Sequence, residues 1–232
     1  NEVYKLLDTL GLQKKFEFWT FERLGYINER IIKISSIDDF PADLDPLHLV
    51  ILFKKEEPII QIEDLPLFGI EDSVFLQNPD CPGLMTKREI RVQLLAELNL
   101  PKQGVLWDIG SGVGSIGLEA LRISPNLKLV SIDKRIGSKN IIQKNAKRTG
   151  VSPSLIIEDE ILNVFKEKKI SPNLLHPDRV IIGGGGSSSH LIVEEVLKLI
   201  NSYCIIIIPL ISLKSISKLE SILKPKVHKL SI

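Results

Sequence analysis

The stretch that most constrains this chain is L-W-D-I-G-S-G-V-G-S-I-G-L-E-A, residues 106–120, in which three glycines stand at alternate positions. The residues before the glycines are apolar and β-prone, and those after them have the apolar spacing of a helix, so the segment predicts a strand, a turn and a helix. Glycine permits positive φ and close approach of another backbone, and the start of a helix offers free N–H groups and a positive dipole end. Such a turn is typical of a site for an anionic or carboxylate-bearing ligand.

Strand and helix patterns alternate on both sides of this turn. Strands are predicted over 105–109, 127–132, 154–158, 179–182 and 203–208, and helices over 87–98, 115–123, 137–149, 190–201 and 213–223. Repeated β–α units with apolar strands predict an α/β fold on a doubly wound, Rossmann-like parallel sheet, whose ligands bind at the carboxyl ends of the strands. The longest apolar run, residues 204–211, is too short to cross a bilayer and predicts a buried parallel strand.

The first 55 residues follow a different pattern and predict a small α/β lobe. It has a helix near 2–10, a strand leading into a short helix over 16–25, and strands over 29–34 and 48–54. Residues 56–66 are charged, contain two prolines and predict a linker. The predicted organisation is therefore a lobe over 1–55, a linker over 56–66 and a second domain over 67–232.

Composition excludes several classes of function. The chain of 232 residues is 44% hydrophobic and 25% charged with a net charge of +1, which indicates a globular protein and gives no global argument for a nucleic-acid or membrane surface. Cys81 and Cys204 lie in no redox or metal motif, which favours a reduced, cytoplasmic context. The four histidines show no ligand spacing, so no metal site is predicted. The sequence lacks a signal-peptide order and an initial methionine, and we expect a fragment of a longer protein.

Acidic residues beside the glycine turn identify the class of ligand. Asp108 stands two residues before Gly110, and D-x-G-x-G-x-G, with Ser115 at the place of a third dinucleotide-motif glycine, is the pattern of S-adenosylmethionine-dependent methyltransferases. The next strand ends in Asp133, nineteen residues after Gly114, where a carboxylate can accept hydrogen bonds from both ribose hydroxyls. The alternative interpretation makes Asp133 only the polar end of a strand.

Two further groups lie at predicted strand ends. Glu158, Asp159 and Glu160 follow the third strand of the second domain, where an adenine amino group would lie, although solvated loop acids are equally expected there. Four glycines over 183–186 follow the fourth strand and would let a flat substrate approach the backbone; the alternative is a flexible loop.

The segment before the first long helix of the second domain has two interpretations. Spacing alone favours a capping box formed by Thr86 and Glu89, with Lys87, Arg88 and Arg91 on a solvated face. The functional alternative places Thr86 against a cofactor and uses the three cations to bind substrate carboxylates.

Several motifs together resemble a known family. G-I-x-D-x-x-F, M-T-K-R-E-x-R, W-D-I-G-x-G-x-G-S and D-R-V-x-I-G-G, between residues 68 and 208, closely resemble the decarboxylating precorrin methyltransferases of cobalamin biosynthesis. These enzymes act on carbon 15 of precorrin-6Y or its cobalt counterpart. Residues 1–55 resemble the carboxyl-terminal lobe of the tetrapyrrole methylase that modifies carbon 5 and is often fused to them. The resemblance implies a fused enzyme whose first methylase lobe and last strands lie outside this sequence.

The resemblance also implies site residues and partners. It places S-adenosylmethionine contacts at nine positions: Thr86, Gly110, Ser111, Gly112, Val113, Gly114, Asp133, Asp159 and Glu160. It implies a tetrapyrrole substrate and a homo-oligomer. For such a substrate, Lys87, Arg88 and Arg91 are our candidates to hold the ring carboxylates, and Gly183 and Gly184 are the candidates to lie against the flat ring. Glu158 stands where the family usually has glycine and is expected to crowd or repolarise the adenine edge. No general acid or base is assigned.

Two other functions stay open on the sequence alone. One is a methyltransferase acting on RNA or protein, for which the lysine-rich segment 212–230 offers a basic strip. The other is a scaffold that binds S-adenosylmethionine without turnover. The intact glycines and Asp133 argue against lost cofactor binding.

Overall fold

The structure is a computed structural model that describes residues 2–10, 12, 15–55, 61–77, 85–183, 189–209, 219–221 and 223–224. The chain forms two compact units, Asn1–Ile59 and Ile60–Ile232, called here the first and the second unit. Within the described ranges, no helix combines the length and apolar character required to cross a bilayer.

The first unit is a three-stranded antiparallel sheet with a helix packed on it. Helix α1 spans Glu2–Thr9, and strands β1 (Phe16–Glu22), β2 (Arg30–Ile34) and β3 (His48–Lys54) are arranged in the order β2–β1–β3. Its small core consists of Tyr4, Leu7, Phe18 and Ile34.

The three predicted strands and the helix of the first unit are present, but the short helix expected after β1 is not. Arg23 and Gly25 have φ angles of 49° and 79°, in the left-handed region. The Tyr26 N–H donates to the Arg23 carbonyl at 3.0 Å, which closes a turn. Two left-handed residues within three positions cannot continue a right-handed helix, so the apolar spacing here belongs to a turn.

The second unit is built on a five-stranded parallel sheet. Its strands are β4 (Gln103–Ile109), β5 (Asn126–Asp133), β6 (Leu155–Glu158), β7 (Arg179–Ile182) and β8 (Ile205–Ile207), in the order β6–β5–β4–β7–β8. Its helices are α2 (Arg88–Glu97), α3 (Ser115–Ile123), α4 (Ser138–Thr149), α5 (Ile161–Lys166) and α6 (Ser189–Leu197). The strands run outward from β4 first to one side and then to the other, which is the doubly wound arrangement.

Helices cover both faces of this sheet. Trp107 and Ile109 of β4 pack in one core with residues of α5 and α6, whereas Leu106 packs in a second core with α2, α3 and α4. This alternation is the period of two expected for a central strand buried on both sides. Trp107 is fully buried, and its indole N–H donates to the Leu174 carbonyl at 2.8 Å, so its polar atom is satisfied.

The predicted α/β fold with a doubly wound parallel sheet is confirmed. The predicted bounds 115–123 and 179–182 are those of α3 and β7, and the other predicted elements of the described sheet differ by a few residues. Helix α5 was not predicted because six residues are too few to show helical periodicity. Within the described residues 204–209 of the apolar run, strand β8 spans Ile205–Ile207; it is half-buried rather than fully buried because it ends the described sheet. The predicted helix 213–223 lies largely outside the described residues.

Candidate active site

The candidate site lies at the carboxyl ends of β5, β4 and β7, which share one edge of the sheet, beside the point between β4 and β7 where strand order reverses. The Gly183 N–H donates to the Ile109 carbonyl at 2.7 Å, which continues the sheet beyond β7. Gly110 has a φ of 72°, and a Cβ built on it would overlap the Gly183 carbonyl oxygen. The two backbones therefore touch without any side chain between them. Gly184 lies outside the described residues.

The glycine turn after β4 has the geometry that its sequence predicts. Gly110, Gly112 and Gly114 have φ angles of 72°, 59° and 82°, all in the left-handed region. The N–H groups of Gly110 and Ser111 both donate to the Ile132 carbonyl, at 2.8 and 3.1 Å, which fastens the turn to the end of β5. Helix α3 begins directly after Gly114, its N-cap, which supplies no side-chain cap to the first free N–H groups.

The carboxylate of Asp133 lies against this turn. It is 3% exposed, accepts the Gly112 N–H at 2.7 Å on Oδ2, and accepts the Arg135 N–H at 2.9 Å on Oδ1. The Arg135 guanidinium lies 3.6 Å from Oδ2. A carboxylate offers about four acceptor positions, so this one retains capacity for two hydroxyl groups of a ligand.

The acids after β6 are occupied by local contacts. Asp159 Oδ1 accepts the Glu160 N–H at 2.7 Å, and Oδ2 pairs with Lys169, which is the main reason that the pKa of Asp159 lies below its ordinary value. Glu160 pairs with Lys134 at 3.3 Å. The backbone N–H of Asp159 donates to the Asp133 carbonyl at 3.0 Å, so these acids adjoin the Asp133 end of the site.

Glu158 has a role that its sequence context did not show. Its Oε2 accepts the Lys139 N–H at 3.0 Å in the first turn of α4. Gly137, the N-cap of α4, has no side chain with which to cap the helix. Glu158 therefore caps α4 from a neighbouring strand, and its carboxylate is turned toward that helix end.

The segment before α2 differs from its predicted capping box. Lys87, not Thr86, is the N-cap, and it makes no side-chain capping bond. Thr86 is half-buried one residue earlier, and Met85 packs in the same core as Val113 of the glycine turn. The predicted box is wrong because the helix begins one residue later than the spacing suggested.

The three cations of this segment lie in different surroundings. The Lys87 side chain is 64% exposed and lies 3.5 Å from Asp72, and Arg88 is half-exposed and donates to the Gly69 carbonyl at 2.6 Å. Arg91 is fully buried and lies on the protein-facing side of α2. Lys87 and Arg88 have surface available for a substrate carboxylate, whereas Arg91 has none.

All of the polar contacts that the structure shows for Arg91 are internal. Its Nε donates to Glu119 at 2.9 Å, its Nη1 donates to Asp72 at 2.6 Å and to the Thr86 carbonyl at 2.7 Å, and its Nη2 donates to the Ile70 carbonyl. Its guanidinium also lies over the Phe75 ring. The expectation that Arg91 binds a substrate carboxylate does not agree with this burial, and we do not retain it.

Asp108 is the acid of the D-x-G pattern, and it is 2% exposed. Burial, opposed by a hydrogen bond from the Gly117 N–H and reinforced by the charge of Asp133, raises the pKa of Asp108 to about 7. The Gly117 N–H donates to its Oδ2 at 3.2 Å, and a Cβ on Gly117 would lie 3.0 Å from that oxygen. Asp108 therefore joins α3 to β4 beneath the turn.

Residues 65–77, which we call the strap, are fixed by six of the described side chains, of which the sequence singled out Arg88 and Arg91, for a different role, and not the other four. The backbone of the strap binds side chains from α2, α3 and α4, namely Arg88, Arg91, Glu119, Arg122, Asn145 and Arg148. One signal was available: Asn145 shares the i, i+3, i+4, i+7 stripe of α4 with buried Ile142, Ala146 and Thr149. A polar residue within a buried stripe indicates a specific partner.

No group of three or more histidine, cysteine, aspartate or glutamate side chains in the described part of the chain is arranged to hold a metal ion. The polar groups at the candidate site are backbone N–H groups, which donate, carboxylates, which accept, and hydroxyls such as that of Ser111, which do both. This set suits a polar organic ligand with hydroxyl groups and an anionic end.

Comparisons with known proteins give a consistent result. The family model of the precorrin methyltransferase domain matches residues 80–229. The probable cobalt-precorrin-6B C(15)-methyltransferase (decarboxylating) of Pyrobaculum aerophilum is 35% identical over 150 residues, 64% of this chain and 72% of that protein. The precorrin-6Y C(5,15)-methyltransferase (decarboxylating) of a Sinorhizobium species is 34% identical over 123 residues, 53% of this chain and 28% of that protein.

A solved structure agrees with these relatives. The crystal structure of precorrin-6y C5,15-methyltransferase from Geobacter metallireducens matches with a TM-score of 0.61 and 26% identity, covering 70% of this chain and 82% of that one. The glycine turn, the Asp133 carboxylate and the parallel sheet described above all lie within the matched family region. The chain therefore belongs to the family of precorrin methyltransferase domains.

Proposed function

We propose that the second unit binds S-adenosylmethionine at the carboxyl edge of β4 and β5 and methylates carbon 15 of a precorrin-6Y-type tetrapyrrole, with decarboxylation of the C12 acetate. The observation that carries this proposal is the glycine turn held by the Asp133 carboxylate at the switch point of the sheet, in a chain of this family. The names of its relatives supply the substrate class, carbon 15 and the decarboxylation.

The residues present fit this cofactor. The Ser111 hydroxyl is buried in the turn and has no hydrogen-bond partner among the described residues, so it is available to a polar ligand. Asp133 retains acceptor capacity for the two ribose hydroxyls. Gly112, Val113 and Gly114 would approach the carboxylate-bearing end with backbone alone, and Asp159 and Glu160 would border the adenine. Thr86 would close the site from the α2 side.

The chain contributes binding and alignment. S-adenosylmethionine, when bound, supplies an electrophilic methyl group, and the nucleophile is an electron-rich carbon of the reduced macrocycle. No protein base is required for that step, so the enzyme's contribution is to hold the two reactants in line and exclude water. Loss of carbon dioxide from the acetate leaves its electron pair to the macrocycle.

Substrate carboxylates need cations at the rim of the site. Lys87 and Arg88 are half-exposed or exposed at the start of α2 and are our candidates for this role. Gly183 and Gly184 would let the flat macrocycle approach the backbone beside the turn. Arg91 holds the segment that carries these residues and does not reach the substrate.

The first unit and the setting of the enzyme remain expectations. The family model begins at residue 80, so the assignment of residues 1–55 to a carbon-5 methylase lobe stays a prediction. A cytoplasmic location, expected from the two cysteines, and a homo-oligomer, expected from the resemblance, likewise stay predictions.

A turnover experiment tests this proposal. The chain is incubated with precorrin-6Y and S-adenosylmethionine carrying a ¹³C-methyl group, and the product is examined by mass and by carbon NMR. One labelled methyl group at carbon 15 together with loss of one carboxyl group is the expected result. Transfer at carbon 15 with an intact acetate would contradict the decarboxylation, and transfer only to RNA or protein would contradict the substrate class.

A further inference from the structure

Asn145 on α4 joins the strap to the glycine turn. It is fully buried; its Oδ1 accepts the Leu76 N–H at 2.7 Å, and its Nδ2 donates to the Leu76 carbonyl at 3.0 Å and to the Val113 carbonyl at 2.9 Å. Reversing the amide would place two N–H donors face to face, so the pattern fixes its orientation. One side chain thus holds both backbone groups of Leu76 and one carbonyl of the candidate cofactor turn.

Helix α4 packs directly behind this turn at a second point. A Cβ on Gly114 would lie 3.1 Å from Cγ2 of Ile142, which is fully buried and one helical turn before Asn145. The Val113–Gly114 peptide is therefore fixed by packing at Gly114 and by a hydrogen bond at Val113. The Gly114 N–H donates to the Ser111 carbonyl at 2.8 Å, so the position of this peptide also determines the shape of the turn.

The other end of the link is the strap just before the segment that leads to Thr86. The Val74 carbonyl accepts from Arg148 at 2.7 Å, which places a second α4 side chain on this part of the strap. Thr86 itself is held through its carbonyl by Arg91, which also binds the strap at Ile70. The strap is thus fixed to α4, which supports the turn, and it is joined through Arg91 of α2 to the Thr86 carbonyl.

We propose that Asn145 is a positioning residue that couples occupancy of the cofactor turn to the placement of the strap. This inference rests on the proposed function, because it takes S-adenosylmethionine or its demethylated product as the ligand of the turn. Asn145 does not touch that ligand. It fixes the Val113 carbonyl and with it the Val113–Gly114 peptide, whose N–H closes the turn on the Ser111 carbonyl, and the same amide transmits any change in the turn to Leu76. Coupling of this kind is reciprocal.

The test compares two isosteric substitutions in α4. Asn145→Leu removes all three bonds, whereas Thr149→Val removes a buried hydroxyl one turn later that bonds only to the Asn145 and Ala146 carbonyls of the same helix. S-adenosylhomocysteine is titrated calorimetrically into each variant well below its unfolding midpoint. We expect Asn145→Leu to weaken binding about tenfold or more and Thr149→Val to change it less than about twofold.

Hydrogen exchange in the unmodified chain gives an independent measurement. Saturating S-adenosylhomocysteine is expected to slow exchange of the Leu76 amide, whose acceptor is Asn145. The control is the Val105 amide, which likewise donates to a side-chain oxygen, in this case of the Asp178 carboxylate, but lies near the start of β4. We expect its exchange rate to stay unchanged.

Each outcome decides between the two proposals. If the parent binds the ligand but Leu76 exchange does not change, or Asn145→Leu binds as the parent does, the coupling is wrong and the proposed function stands. If the parent does not bind, the proposed function fails and the coupling with it. If Asn145→Leu does not fold, hydrogen exchange of the Leu76 amide in the parent tests the coupling alone: slower exchange with ligand supports it, and unchanged exchange contradicts it.

Discussion

The carbonyl oxygen of Gly183 occupies the place where a side chain on Gly110 would begin. Gly110 directly follows β4, the first strand of the second unit's sheet, and Gly183 directly follows β7, the strand on the other side of the switch point, 73 residues later. Two requirements therefore select glycine at position 110: a φ of 72° and contact with another backbone. The D-x-G-x-G-x-G pattern reflects both.

Gly110→Ala tests the second requirement against a matched control. Gly137 has a similar φ of 85°, but no atom lies within 4 Å of a Cβ built there. We expect Gly137→Ala to lower the free energy of unfolding by about 1 kcal/mol, the cost of a left-handed alanine. Gly110→Ala is expected to cost at least about 2 kcal/mol more, because the Gly183 backbone must move. Equal losses in urea unfolding would show that the contact between the two glycine backbones carries no cost.

Arg91 is predicted to matter for folding rather than for substrate binding. Arg91 and Glu119 are both fully buried, so Arg91→Ala leaves an uncompensated carboxylate in the core and should cost about 3 to 5 kcal/mol of unfolding free energy. Arg88→Ala, on the exposed side of the same helix, should cost less than about 1 kcal/mol. A stable Arg91→Ala variant with a raised KM for the tetrapyrrole would reverse this assignment.

Asp108 should give the second unit a distinctive pH dependence. Burial raises the pKa of Asp108 from 3.8 to about 7. Between these two pKa values the folded state keeps the Asp108 proton, whereas the unfolded chain releases it. The stabilisation that this proton gives the folded state is therefore complete at low pH and is lost as the pH rises toward 7. Asp108→Asn cannot titrate and does not lose stability in this way. As the pH rises between these two pKa values, the unfolding free energy of the variant relative to the parent should therefore increase by up to about 1.4 kcal/mol per pH unit.

Fluorescence of Trp107, the neighbour of Asp108, reports this unfolding directly. The chain has two tryptophans, so a Trp19→Phe background leaves Trp107 as the single reporter, in the second unit. Other carboxylates also make stability depend on pH, and some do so in the opposite direction, such as Asp159, whose pKa is lowered chiefly by Lys169. Their contributions are the same in variant and parent, so they cancel in the difference between the two. A difference that stays constant from pH 4 to pH 7 would mean that Asp108 titrates normally.

Lys87 should affect the substrate and not the cofactor. Its side chain is 64% exposed beside Thr86, so Lys87→Ala should raise KM for the tetrapyrrole about fivefold, since one charge-assisted contact is lost. Its affinity for S-adenosylhomocysteine should stay at the parental value. Lys198→Ala, with a side chain 65% exposed just after the end of α6, serves as the control for removal of a surface charge. If Lys87→Ala changed the affinity for S-adenosylhomocysteine and left KM for the tetrapyrrole unchanged, the assignment of Lys87 to the substrate would be wrong.

Local patterns were enough to predict the sheet, the turn and the Asp133 position. The glycine turn and the strand before it are specified by residues within one short window, and the 19-residue spacing to Asp133 follows from one β–α–β unit. The bounds of α3 and β7 follow for the same reason: each has a continuous apolar pattern with a clear stop.

The residues that the sequence patterns assigned wrongly or did not identify are those whose partners are distant along the chain. For Arg91 the spacing favours a solvated face, and the functional alternative is a substrate carboxylate; the structure instead buries it against Glu119, 28 residues later, and Asp72, 19 residues earlier. Asn145 binds Leu76 across 69 residues. Helix periodicity shows that a residue faces the interior, but it does not show which group of a distant segment the side chain contacts.

The most direct test of the central claim is calorimetric titration of S-adenosylhomocysteine into the parent and into Asp133→Asn. The substitution keeps the side-chain size and one acceptor oxygen, and Glu195→Ala removes a surface carboxylate on α6 as the control. We predict micromolar binding by the parent and the control, and a loss of about 2 kcal/mol, roughly thirtyfold in Kd, in Asp133→Asn. Parental affinity in Asp133→Asn would contradict the assignment of this carboxylate to the ribose, and with it the site at the glycine turn.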